Sequence, residues 1–375
     1  PGTLYRSQSL RFVDRAHAGD KLTAYVRLVE KGPDRLARFE TWVEREGGVR
    51  VAEGEAEVTA PDFQQSFDAS EVPGLILQQH EHFDRVLAAA EPLPPIPTSV
   101  VAPEEENALG GAVLAASHSI IEPILIGCKK NISAAAAAIG ADISPYELID
   151  IPSHDGASAK GVTLVQEGRA RALMKGHLHT DQLLRHVMKR DGGLRTTRRL
   201  SHVFVMDVPG LTNLLFVSDA AINIAPDLET KVDITQNAID LARALGIETP
   251  KVGVLSAVET VNSKIPSTLD AAVISKMADR GQIRGGIVDG PLAMDNAVDL
   301  DAAKTKGIRS LVAGRADILI VPNLEAGNML AKQLTYVAHA EAGGIVIGAR
   351  CPVILTSRAD DDRARLASCA VAALY

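Results

Sequence analysis

Aromatic side chains are scarce in this 375-residue chain, at 3%. Ala, Val, Ile, Leu and Gly must therefore fill its interior, which suits buried parallel sheets flanked by helices. There are three cysteines, Cys128, Cys351 and Cys369, and no C-x-x-C pair. So sparse and odd a count argues against a disulfide framework and for a reducing compartment. No apolar run reaches the roughly 18 residues that span a bilayer, and the chain does not open on a charged-then-apolar leader, so the expected location is the cytoplasm. It opens on Pro1, inside what reads as a motif, and is expected to begin within a longer frame. The net charge is −8 with signs mixed throughout. Without a basic stripe, nucleic acid is excluded as a partner, and an anionic substrate needs a locally basic pocket. Also missing are a G-x-G-x-x-G fingerprint, a P-loop lysine, a G-x-S-x-G elbow and metal-cluster spacing. Hydride transfer, nucleotide hydrolysis and serine-triad hydrolysis thus lack their marks.

What is present is globular: 46% hydrophobic and 23% charged residues, long enough for two or three domains. Residues 3–60 alternate apolar with polar side chains, as in Leu22, Ala24, Val26 and Leu28, and predict four antiparallel strands over Thr3–Phe12, Lys21–Glu30, Leu36–Glu46 and Val49–Thr59. Gly32-Pro33-Asp34 and Glu46-Gly47-Gly48 are turn signals between them. Residues 63–97 are a transition, with a helix expected over Ile76–Ala90 and none through the proline-rich Glu91–Pro97. From Thr98 short apolar runs alternate with helical stretches, which predicts an α/β region of parallel sheets with crossover helices. Ligands in such folds sit beyond the carboxyl ends of the strands.

Four polar stretches close predicted strands. Lys175-Gly176-His177-Leu178-His179-Thr180 leads into a helix carrying Arg185; free amides at a helix start, with Lys175 and Arg185, favour phosphate, while the plainer reading is a cap with solvated bases. His177 and His179 lie two apart with no third ligand to complete a metal pattern. Asp289, before Gly290-Pro291, either faces a cleft or bonds local amides. Asn323, Glu325 and Asn328 follow another strand, and capping accounts for one of the three. Ser357-Arg358 precedes a helix, where hydroxyl and guanidinium form an oxyanion site; Ser357 or Asp360 as N-cap, with Asp361 and Asp362 favouring the dipole, is the alternative.

Together these stretches resemble the phosphate acetyltransferase and phosphate butyryltransferase family, from about Thr98 to Tyr375. The resemblance rests on VPNLEAGNMLAK (321–332), LTSRAD (355–360), VDGPLAMDNAV (288–298) and GLRTTRRLSHVFV (193–205). It implies an isocitrate-dehydrogenase-like fold of two mostly parallel α/β domains, residues 98–196 with 346–375 and residues 197–345, with the site in the cleft between them and a homodimeric assembly. It implies transfer of an acyl group between coenzyme A and inorganic phosphate, with both as substrates and no metal or redox cofactor. By matching positions, Ser357 and Arg358 are the catalytic pair and Arg185 a substrate-contacting arginine. Lys175, His179, Thr180, Asp289, Asn323, Glu325, Asn328 and Lys332 are expected to contact CoA or phosphate. The sequence departs from the acetyl enzymes seven residues after the serine, where their general-base aspartate is Ala364 here; Asp360, Asp361 and Asp362 lie upstream, and the base stays open. A metal-dependent dehydrogenase on this scaffold and a non-catalytic CoA-binding homologue are the alternatives. Residues 1–62 resemble the back half of a MaoC-type hotdog enoyl-CoA hydratase from its GTLYRSQSLRF segment. That implies an N-terminally truncated bifunctional parent whose hydratase Asp and His lie upstream.

Overall fold

The computed structural model describes residues 4–17, 20–60, 81–355 and 362–375. The chain divides into two units, Pro1–Leu75 and Ile76–Tyr375.

In the first unit the alternating residues form β1 (Leu4–Gln8), β2 (Arg11–Phe12), β3 (Leu22–Lys31), β4 (Leu36–Arg45) and β5 (Val49–Thr59). They make an antiparallel sheet in the order β1-β5-β4-β3, with β2 on β5. Register puts Ala24 opposite Val43 and Leu28 opposite Phe39, with Val43 opposite Ala52 and Phe39 opposite Ala56, so one face is apolar. Tyr25 and Trp42 stack at 5.2 Å on the other face, and the Arg50 guanidinium lies 4.9 Å from the Trp42 ring centre.

The second unit starts with α1 (Glu81–Ala90). There follow β6 (Ile96–Val101), α2 (Glu106–Ser117), β7 (Ile121–Gly127), α3 (Lys129–Ile139), β8 (Glu147–Asp150), α4 (His154–Gln166), β9 (Ala172–Lys175) and α5 (Thr180–Val187). Next come β10 (Ser201–Asp207), β11 (Leu215–Ser218), α6 (Leu228–Ala244), β12 (Lys251–Leu255), α7 (Pro266–Asp279) and β13 (Ile287–Leu292). The rest are α8 (Met294–Val298), α9 (Leu300–Thr305), β14 (Ile318–Ile320), α10 (Leu324–Tyr336), β15 (Glu341–Ile347), β16 (Val353–Ile354) and α11 (Asp362–Leu374). The strands form one sheet of eleven, ordered β13-β12-β14-β11-β10-β15-β16-β9-β6-β7-β8. Because helices cover it, its central strands are buried on both faces rather than alternately: six of seven residues of β10 are buried. Asp207 at the end of β10 accepts the amides of His82 (2.8 Å) and Phe83 (3.1 Å), capping α1 onto this unit.

The sheet is mostly parallel, as expected, with antiparallel pairs only around β10 and β15. The pairs β10–β11, β10–β15 and β15–β16 are antiparallel, and the other pairs in the sheet are parallel. Consequently β6–β9 and β16 run one way and β11–β14 the other, and the two groups have their carboxyl ends at opposite ends of the sheet. Three differences are local. Strand β15 falls in a stretch with no expected element, because Gly343-Gly344 dilutes its signal. Strand β6 begins at Ile96 and takes in Pro97. Strand β13 continues through Gly290-Pro291 to Leu292, so Asp289 sits inside a strand, opposite Gly253, rather than at its end.

Candidate active site

The carboxyl ends of β6, β7, β9 and β16 meet on one side of the sheet. Register places Leu173 beside Val353 and Met174 beside Ile354, so Lys175 and Leu355 leave the sheet side by side. Ser357 and Arg358, with Asp360 and Asp361, lie outside the described residues. Asp362 is the first residue of α11, and Ala364 is in its first turn.

Lys175 is buried, 7% exposed, and its ammonium donates to the carbonyls of Gly176 (3.2 Å) and Leu178 (3.3 Å). Gly176 is required by close approach: a Cβ there would stand 2.3 Å from the Ala102 carbonyl oxygen. The loop is then sewn to the end of β6 by Gly176 N–H to Val101 O (2.8 Å) and His177 N–H to Ala102 O (2.7 Å). His179 is the N-cap of α5 and makes no side-chain cap bond, so its ring does not satisfy the first-turn amides, the donors an anion site uses. Arg185 is exposed on the last turn of α5, 3.6 Å from Asp181.

The site also contains residues for which no role was expected. Helix α2 starts at Glu106, and the two preceding carboxylates bond groups at these strand ends. Glu104 accepts from the Cys128 amide (2.8 Å) and the Asn131 side chain (2.9 Å), with His154 Nε2 at 3.6 Å. Glu105 holds His177 Nδ1 at 2.8 Å. The run Glu104-Glu105-Glu106, which follows the apolar strand β6 after Ala102-Pro103, is the signal that marks them. Among the described residues no three His, Cys, Asp or Glu side chains converge as a metal site.

The other expected residues are at the far end of the sheet. Asn323 is the N-cap of α10, accepting from the Ala326 amide at 2.9 Å. Asn328 donates to Ala220 O at 3.3 Å, just after β11. Gly327 lets α10 approach that turn, since a Cβ would meet Ala220 Cα at 3.0 Å. Glu325 and Lys332 are exposed. Asp289 accepts from the Gly290 amide at 2.8 Å, which is the local bonding its turn chemistry allows. Helix α10 nevertheless runs back from the carboxyl end of β14 to β15, whose Glu341 pairs with Asp207, so its last turns, after Lys332, lead towards the Lys175 side.

A cavity of ≈540 Å³ opens between α5 and the turn after β11, lined by Met188, Arg195, Arg198, Arg199, Ile222 and Asn223 among others. Arg198 pairs with Asp240, and Arg199 with Glu229 (3.1 Å) and Asp233 (3.4 Å). Asp219 organises the turn, accepting from the amides of Ala221 (2.9 Å), Ile222 (3.1 Å) and Asn223 (3.1 Å). Burial raises its carboxyl above the ordinary value, against those bonds. Burial also pushes the thiols of Cys351 and Cys369 up to about 12.

Residues 153–373 match the family described as phosphate acetyl/butaryl transferase. The chain is 58% identical over 297 residues to the phosphate acetyltransferase of Rhizobium meliloti, covering 79% of this chain and 94% of that one. It is 43% identical over 294 residues to the phosphate butyryltransferase of Clostridium beijerinckii, covering 78% and 97%. A solved branched-chain phosphotransacylase from Enterococcus faecalis aligns with a TM-score of 0.63 at 30% identity, covering 74% of this chain and 97% of that one. The residues matched to the family include Lys175 and the loop after it, and the chain belongs to the phosphate acetyl/butyryl transferase family.

Proposed function

We propose that this protein transfers a short acyl group between coenzyme A and inorganic phosphate: acyl-CoA and phosphate give acyl phosphate and CoA. The observation that carries the reading is the 58% identity to a phosphate acetyltransferase along nearly that protein's full length. The reaction needs a nucleophile positioned against an acyl carbonyl and donors for the tetrahedral oxyanion. Arg358 and Arg185 hold phosphate oxygens, and Ser357 orients the transferring group without forming an acyl-enzyme. The first-turn amides of α5 and the buried Lys175 supply further positive potential at the same strand ends. Thiols held near 12 are not nucleophiles at neutral pH, in keeping with direct transfer.

The finer assignments are part of this proposal. Residues 98–196 with 346–375 and residues 197–345 form the two lobes of an isocitrate-dehydrogenase-like fold, supported by the opposed directions of β6–β9 with β16 and of β11–β14. The first unit is of hotdog type. The enzyme works as a cytoplasmic homodimer, with CoA and phosphate as substrates and no metal or redox cofactor. Among the described residues no helix is long and apolar enough to cross a membrane.

Free thiol released from acetyl-CoA and butyryl-CoA tests the function. Release that requires phosphate and persists in chelator is expected. Loss in chelator, restored by a divalent ion, would overturn the metal-free mechanism and favour a dehydrogenase-like reading.

A further inference from the structure

We infer that His177, oriented by Glu105, is the general base that takes the proton of the CoA thiol; the inference rests on the acyl-transfer reading above. Where the resemblance to the acetyl enzymes leads one to expect a general-base aspartate this chain has Ala364, and the structure offers an imidazole at the right strand ends. His177 follows β9 by two residues, and its backbone is fixed to Ala102 at the end of β6. Its Nδ1 lies 2.8 Å from Glu105 Oε2. A carboxylate only accepts, so Nδ1 carries the proton and Nε2 presents its lone pair. Nε2 has no partner among the described residues, and the side chain is 41% exposed, so a substrate can reach it. One ring nitrogen held by a carboxylate and the other open is the arrangement a base requires. Helix α2 leaves Glu105 available for this, since Glu105 makes no cap bond as its N-cap.

The step balances in the direction of acyl-CoA formation. The thiol proton passes to His177 Nε2 as the sulfur lone pair forms the C–S bond with the acyl phosphate carbonyl. The tetrahedral oxyanion collapses and breaks the C–O bond. Phosphate leaves with that electron pair and takes the proton from the imidazolium. In reverse the imidazolium, protonated by the attacking hydrogen phosphate, protonates the departing sulfur. Among the described residues the titratable groups on the loops that meet there include Glu104 and Glu105 after β6, Cys128 after β7, Lys175 ending β9, His154 opening α4 and His179 capping α5. Among the described residues Glu105 is the one hydrogen-bonded to the ring.

The experiment measures acyl-CoA formation from acyl phosphate and CoA across pH for the full chain and for His177→Ala, His177→Gln and Glu105→Ala. Both His177 variants should melt with the wild type and lose about 100- to 1,000-fold in kcat/KM, together with the acid limb of the profile. The deficit should shrink as pH rises towards the thiol's own ionisation, where no base is needed. Glu105→Ala should lower kcat more than it raises KM, because the ring loses the partner that fixes its orientation and tautomer. Full activity with an unchanged limb in both His177 variants would overturn the base assignment and leave acyl transfer standing. A folded wild type that makes no acyl-CoA at all would overturn both.

Discussion

Strands β3 and β10 carry comparable shares of apolar residues, yet all ten residues of β3 are exposed and six of the seven in β10 are buried. Apolar content therefore does not decide burial; neighbours do. Strand β10 is bonded on both sides, to β11 and β15, and α1 and α6 pack on it. Among the described residues β3 is bonded to β4 alone. What order the first unit has on its polar face comes from Trp42, stacked on Tyr25 and flanked by Arg27 and Arg50. The second unit is held by volume filled on both sides of a sheet, the first by pairs along one.

The largest effect should come from emptying the second unit's core. Phe216, fully buried in β11, should cost about 3–5 kcal/mol as Phe216→Ala, read by thermal or denaturant unfolding. A loss below about 1 kcal/mol would say that the unit is not held by core volume.

Arg358→Ala should remove about 3 kcal/mol of transition-state stabilisation, on the order of a hundredfold in turnover, with melting unchanged. Arg358→Lys should also lose most turnover, because an ammonium cannot reproduce the fork of the guanidinium. Wild-type phosphate saturation in both variants would remove Arg358 from the site.

Strand β10 also carries an acid-sensitive core group. Complete burial pushes His202 down to about 4, and the ring packs so tightly on β15 that a Cβ on Gly344 would lie 2.8 Å from it. The unfolded chain takes up this proton near pH 6.5, so between there and pH 4 it binds more protons than the folded one. Stability should therefore fall with falling pH through that window, by on the order of 3 kcal/mol in full. His202→Leu should flatten this part of the profile, and an unaltered slope would contradict it.

The smallest effect belongs to the first unit. Trp42→Ala should cost about 1–2 kcal/mol, since exposed cation–π pairs contribute roughly 0.5–1 kcal/mol each. It should broaden or lower the first unit's transition while leaving turnover alone; lost turnover would tie this sheet to the chemistry.

Legibility in the sequence follows the same contrast. Alternation from Leu22 to Leu28 marked the first sheet, and the apolar runs from Thr98 onward marked the strands of the second. Direction was not legible: nothing in the run of residues 201–207 says that it lies antiparallel to β11. Helices α8 and α9 are too short to show a period. The Lys175–Thr180 loop was readable because it is contiguous, whereas Glu105 and His177 are 72 positions apart and only the fold brings them together. Asp289 was misplaced because Gly290-Pro291 carries turn chemistry inside a strand that continues past it.

The comparison assigns all of the transfer chemistry to the second unit. The measurement that tests this most directly is phosphate-dependent thiol release from acetyl-CoA by residues 76–375 alone, beside the whole chain. Turnover within about twofold of the whole chain is predicted, with none when phosphate is omitted, and neither protein should hydrate crotonyl-CoA above background. A folded 76–375 that is inactive while the whole chain works, or hydration by the whole chain, would contradict the account.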